Sequence, residues 1–127
     1  MWSRLINHTE FIKKIYSELP DLLNVWVPNV SIFPSEKKLE MTLVIRQSPD
    51  WLPPKWKVQK GNAIKLKLTF WGICDLDANY SSGERCCNIE LCNTSGNDIF
   101  VQISGAIQMQ FSAEAGAVTD VEYVLLK

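Results

Sequence analysis

The stretch Ala63-Ile64-Lys65-Leu66-Lys67-Leu68-Thr69-Phe70-Trp71 decides the fold class. In an extended chain Ile64, Leu66, Leu68 and Phe70 point to one side, while Lys65, Lys67 and Thr69 point to the other. The same period of two returns at Leu39, Met41, Leu43 and Ile45, at Ile99, Val101 and Ile103, at Ile107, Met109 and Phe111, and at Val121, Tyr123 and Leu125. Such alternation marks strands with one buried face, and the short polar turns between them mark antiparallel neighbours. Pro34-Ser35-Glu36-Lys37, Asn93-Thr94-Ser95-Gly96-Asn97, Ser104-Gly105 and Ala115-Gly116 supply those turns.

Outward from this core pattern the chain changes character twice. Near the start, Phe11, Ile15 and Leu19 form a helical stripe broadened by Ile12 and Tyr16, with Asn7 and Glu10 spaced as a capping box and Pro20 as the stop. Residues Asn24 to Phe33 read as a strand, but Pro28 cannot donate to a ladder and demands an edge position or a bulge. Residues Gln47 to Asn62 form the longest irregular stretch, carrying Trp51 and the run Pro53-Pro54-Lys55-Trp56. Trp56 reads as a plug for that loop, and Trp51 is open to either a packing or an interaction role. A short strand after Gly72 includes Asp75 and Asp77, two apart and therefore expected on one face. The expected fold class is α+β: an N-terminal amphipathic helix packed on a curved, mainly antiparallel β-sheet of about seven strands, either a half-barrel or two layers.

Length and composition set the outer bounds. The 127 residues suit one domain large enough for its own core. No apolar run nears the roughly 20 residues of a membrane helix, and Arg4, His8, Glu10, Lys13 and Lys14 interrupt any signal-like apolar segment before Leu19. The expected setting is cytoplasmic, with no membrane partner. The four cysteines Cys74, Cys86, Cys87 and Cys92 contain no Cys-x-x-Cys pair, so neither a disulfide framework nor a zinc site is expected. Cys87 reads as a core residue beside Ile89 and Leu91.

No catalytic set assembles along the chain. His8 is the only histidine and reads as a surface or packing residue. Asp75 and Asp77 are too few oxygen ligands for a cation site, and no phosphate-binding glycine loop occurs. Lys55, Lys57, Lys60, Lys65 and Lys67 lie among Trp51, Trp56 and Trp71, a pattern that can hold single-stranded nucleic acid. A lysine-blunted solvated edge explains the same residues, and no nucleic-acid partner is expected. Charge is lopsided: residues 1–67 carry 11 basic against 6 acidic side chains, and residues 68–127 carry 2 against 8. Either the surface has two potentials that steer a partner, or the charges pair across the sheet.

Trp2, the triplet Pro20-Asp21-Leu22 after the helix, Pro53-Pro54-Lys55-Trp56, the strand Ile64 to Phe70 ending at Gly72, and the meander to Tyr123 together resemble the Imm50-type immunity proteins of bacterial polymorphic toxin systems. The resemblance covers nearly the whole chain in layout; the cysteines around Cys86 and the loop Asn79 to Arg85 lie outside the shared pattern. It implies one immunity domain over residues 1–127 that binds a cognate toxin domain, in some systems a nuclease, and blocks it by surface complementarity. Such a protein needs no catalytic residue, cofactor or metal. A basic toxin cleft would be met by Asp75, Asp77, Glu84, Glu90, Asp98, Asp120 and Glu122, with Tyr80 beside them. The competing readings are a small-ligand-binding sheet with a pocket under the helix, an enzyme centred on Asp75, Asp77 and Tyr80, and a homodimeric scaffold paired through the Pro28 strand or the Trp51 loop.

Overall fold

Alternating side chains from every strand meet in one core, and the backbone follows from that requirement. The computed structural model describes residues 2–80, 86–94 and 96–126. A short helix α1 (Glu10–Ile15) precedes strands β1 (Val25–Phe33) and β2 (Lys38–Ile45), a single helical turn α2 (Pro54–Lys57), and strands β3 (Ala63–Trp71), β4 (Cys74–Tyr80), β5 (Cys86–Asn93), β6 (Ile99–Gly105), β7 (Ile107–Ala113) and β8 (Ala115–Val124). The eight strands make one sheet in the order β4-β7-β6-β5-β1-β2-β3-β8, antiparallel at every junction. The sheet thus has eight strands where about seven were expected, and the short strand expected after Gly72 runs on to Tyr80.

The sheet is open and folds over itself as two four-stranded wings. β1 holds β5 through only two register pairs, Val25 with Cys87 and Trp26 with Cys86, and the ladder of β1 with β2 slips between Trp26 and Asn29. Pro28 sits in that slip, so its missing donor is accommodated by a bulge inside the sheet, not at an edge. Beyond this hinge the wing β1-β2-β3-β8 faces the wing β5-β6-β7-β4. Phe70 of β3 meets Phe111 of β7 edge to face, with centroids 5.3 Å apart. Leu39, Met41, Leu43, Ile64, Leu66 and Leu68 from one wing join Ile89, Val101, Ile103 and Met109 from the other in a single buried cluster. Each such side chain contributes roughly 1.5–3 kcal/mol by leaving water. Gly116 lies opposite Phe70 in the β3–β8 register, and a Cβ there would sit 2.8 Å from the Phe70 ring. The missing side chain is the space that the ring fills.

The helix is shorter than the stripe suggests. α1 ends at Ile15, before Leu19, and Thr9 precedes it without a side-chain cap. Asn7 does not cap because its backbone is used elsewhere: its N–H donates to Gly116 O (2.8 Å), and its carbonyl accepts from Val118 N–H (3.0 Å). The end is set from a distance. Ile15 O accepts from the N–H groups of Asp50 and Trp51, and the Asp50 carboxylate accepts from the Ser17 N–H and hydroxyl, which pulls the chain out of helical geometry. The buried face is Ile12, Ile15 and Tyr16, which fill the space beneath the helix where a ligand pocket was an open reading. Phe11 turns outward, 37% exposed, and packs edge to face on Trp56. Trp56 in turn stacks on Tyr123 (5.4 Å), whose hydroxyl donates to Gly61 O (2.7 Å), so Trp56 is the plug of the long loop.

Tyr16 ties this region to pH. Its buried hydroxyl donates to Gln47 O at 2.6 Å. Burial first, then the nearby Asp50 charge, pushes its pKa well above the ordinary value of 10.0. Folding thus favours the neutral phenol. Its contribution is complete below pH 10 and is lost as pH rises past the unfolded value. Above about pH 10 the urea midpoint is expected to fall more steeply in the native chain than in Tyr16→Phe, which lacks the titrating group. At neutral pH the same substitution leaves Gln47 O without its donor and is expected to cost about 1 kcal/mol. Parallel pH profiles for the two proteins would contradict this account.

Candidate functional site

β5, β6 and β7 bury alternate residues, so the remaining ones share an outer face, which β4, exposed along its whole length, continues. The register places Asp77 of β4 beside Gln110 of β7, Gln110 beside Gln102 of β6, and Gln102 beside Glu90 of β5. This row of two carboxylates and two amides is exposed throughout. A flanking row holds Asn79 beside Gln108, with Asn88 beside Ser104 further across. The other flank runs Cys74, Ser112, Phe100, Cys92. Among the described residues the four strands contribute no lysine or arginine to this face; the Arg46 guanidinium reaches its margin at Cys86. Residues 74–114 contain six acidic side chains against Arg85 alone, a net of −5. The face therefore offers carboxylates and amides in a negative field.

The opposite wing handles its charges differently. Lys65 lies beside Glu122 in register and 3.9 Å from its carboxylate; Lys67 lies beside Asp120 and 3.9 Å from Glu40. Lys38 bridges Glu36 (3.1 Å) and Glu40 (3.6 Å). Its ammonium titrates above the ordinary lysine range, mainly through the Glu36 hydrogen bond, against a smaller desolvation. All the ion pairs among the described residues lie on this wing. Such exposed pairs add little stability, but they cancel the local field. The lysines of β3 thus face acids across the sheet and form no basic track.

The eight residues singled out in the sequence are accordingly not brought together. Asp75, Asp77, Tyr80, Glu90 and Asp98 belong to the acidic wing. Asp120 and Glu122 stand on β8, at the other end of the strand order and next to lysines. Glu84 lies outside the described residues. Asp75 and Asp77 do not share a face by simple alternation: the β4–β7 register slips between Cys74 and Asp77, and Asp75 takes a positive φ of 55°. Asp75, Asp98 and Glu114 instead surround Cys74. Desolvation first, then those charges, raise its thiol pKa. The residues missed by the sequence reading are Gln102, Gln108 and Gln110. Their signal was the repeated amide at the polar positions of β6 and β7.

Two further features border the sheet. An open cleft of about 450 Å³ lies between His8 and Phe11, the Pro53–Trp56 turn, and residues 118–121 of β8. A smaller groove of about 110 Å³ is lined by Val30, Ile32, Ala78, Asn79, Tyr80, Ile107 and Met109, on the inner side of β4. Tyr80 is 92% exposed at its rim. Trp51 is 47% exposed at the end of the helix. Cys87 is buried beside Ile89, while Cys86 faces outward and accepts from the Arg46 guanidinium. Among the described residues no three histidine, cysteine or carboxylate side chains converge as metal ligands, and no helix is long and apolar enough to cross a membrane.

A model of the family Immunity protein 50 (Imm50) matches residues 8–124. The chain belongs to the Imm50 family. The match takes in α1 and every strand, so both wings belong to the Imm50 unit and neither is an appendage. No curated protein and no solved structure matches this Imm50 chain.

Proposed function

We propose that this Imm50 protein binds and neutralises a cognate toxin domain of a bacterial polymorphic toxin system, in the cytoplasm and without catalysis, through the outer face of its acidic wing. The observation that carries the reading is the contrast between the wings. Asp77 and Glu90 have amides as their register partners and no ion pair among the described residues, and Arg46 touches the face only at Cys86, whereas Asp120 and Glu122 stand beside Lys67 and Lys65. An unquenched negative face attracts a positive partner and speeds encounter. Its amides supply both hydrogen-bond donors and acceptors without adding charge. A nuclease domain suits such a face, because an enzyme that gathers a polyanion must present positive charge near its active site. Inhibition then needs only occlusion, which agrees with a site built from solvent-exposed side chains on strands.

The test is co-expression with the C-terminal domain of the toxin encoded beside this chain. A stable complex is expected, with toxin activity suppressed at equimolar chain and association that slows as salt is raised. Full toxin activity in the presence of excess chain would sink the reading.

A further inference from the structure

The two edges of the sheet are treated differently. The β8 edge is covered where Asn7 bridges Gly116 and Val118. The β4 edge is open. All seven of its residues are exposed, and among the described residues no backbone bond reaches residues 74–80 except from β7. The Asp75 bulge disturbs only the start of the strand, and Asp77, Ala78, Asn79 and Tyr80 keep a regular ladder. An unpaired edge of this kind is a template for another strand.

The surroundings of β4 state what that strand would have to be. On the outer face it would run beside Asp77 and Asn79, at the end of the carboxylate and amide row. On the inner face it would run beside Ala78 and Tyr80, over the groove formed with Val30, Ile32 and Ile107. Ile32 is 46% exposed there, although it pairs with the fully buried Leu39. We propose that β4 accepts an extended segment of the toxin as an added strand, with lysine or arginine at alternate positions on the outer face and apolar side chains between them. A second copy of this chain fits poorly, because β4 paired with β4 would lay two wings of net −5 edge to edge. The inference rests on the toxin-binding reading and specifies its mode.

Hydrogen–deuterium exchange of the full chain, free and bound to the inactivated toxin domain encoded beside it, tests the proposal. Amides within residues 76–80 are expected to slow at least about tenfold on binding. Two proline variants add a second readout. Neighbouring amides in a strand point to opposite sides, so of Ala78→Pro and Asn79→Pro one removes a bond to β7 and the other an outward donor. The variant that keeps its Tm is expected to lose toxin affinity by about tenfold or more. Retained affinity in that variant, or unchanged exchange across β4 in a formed complex, overturns the inference and leaves the toxin reading standing. Absence of any complex with the native chain overturns both. Protection of β4 that grows with protein concentration in the absence of toxin identifies a second copy as the occupant and also overturns it.

Discussion

Replacing Phe70 by alanine is expected to remove about 3–5 kcal/mol of stability. The ring is fully buried, packs edge to face on Phe111 of the facing wing, and covers the bare backbone of Gly116. Its removal deletes an aromatic contact between the wings, which β1 and β5 join through only two register pairs. Collapse cannot fill the space cheaply, because β3 is fixed by long ladders to β2 and β8 on either side. Against a usual total of about 5–15 kcal/mol, such a loss leaves the domain marginal. Urea unfolding checks the amount. In a domain of this length each kcal/mol corresponds to roughly 3–5 °C, so Tm is expected to drop by about 10 °C or more. Phe70→Leu, which keeps most of the volume, is expected to lose less than half as much. A loss under about 1 kcal/mol for the alanine variant would show that the wings are not held at this point.

The residues that build this core were legible because their information is local. Ile64, Leu66, Leu68 and Phe70 announce β3 through period and polarity alone, and the same holds for Ile99, Val101 and Ile103. The helix was misjudged for the opposite reason. Asn7 and Glu10 have capping-box spacing, but Asn7 is engaged by β8 and the helix end is set by Asp50, far along the chain. A local pattern cannot register such a competitor. The candidate site was visible as a list of carboxylates and invisible as a surface. That Asp77 and Glu90 stand at two ends of one row depends on three successive register pairings, and that Glu122 meets Lys65 depends on another. The slip at Asp75 then broke the simple alternation that would have aligned it with Asp77.

Charge reversal separates the two groups of carboxylates, and it is expected to give the largest effect on binding. In Asp77→Lys with Glu90→Lys, both ends of the exposed row change sign on the wing of net −5. Toxin association is expected to slow by about 10- to 100-fold at low ionic strength, with its salt dependence reduced. Neither residue is buried, so Tm should hold. The counterpart, Asp120→Lys with Glu122→Lys, alters formal charge equally. There, however, the new lysines face Lys67 and Lys65, and Glu122 was already ion-paired with Lys65. This second variant is expected to leave association within about threefold of the native rate and to lose a few tenths of a kcal/mol through like-charge neighbours. Stopped-flow measurements with the inactivated toxin domain distinguish the two outcomes. Equal slowing in both variants would mean that the toxin responds to net charge alone. Slowing confined to the β8 variant would place the contact on the opposite wing. The neutral pair Asp77→Asn with Glu90→Gln adds the last distinction. It keeps the shape of the row while taking the wing from a net of −5 to −3 without adding positive charge, so an association rate close to that of the lysine variant would assign the effect to lost attraction, and a rate close to native would assign it to new repulsion.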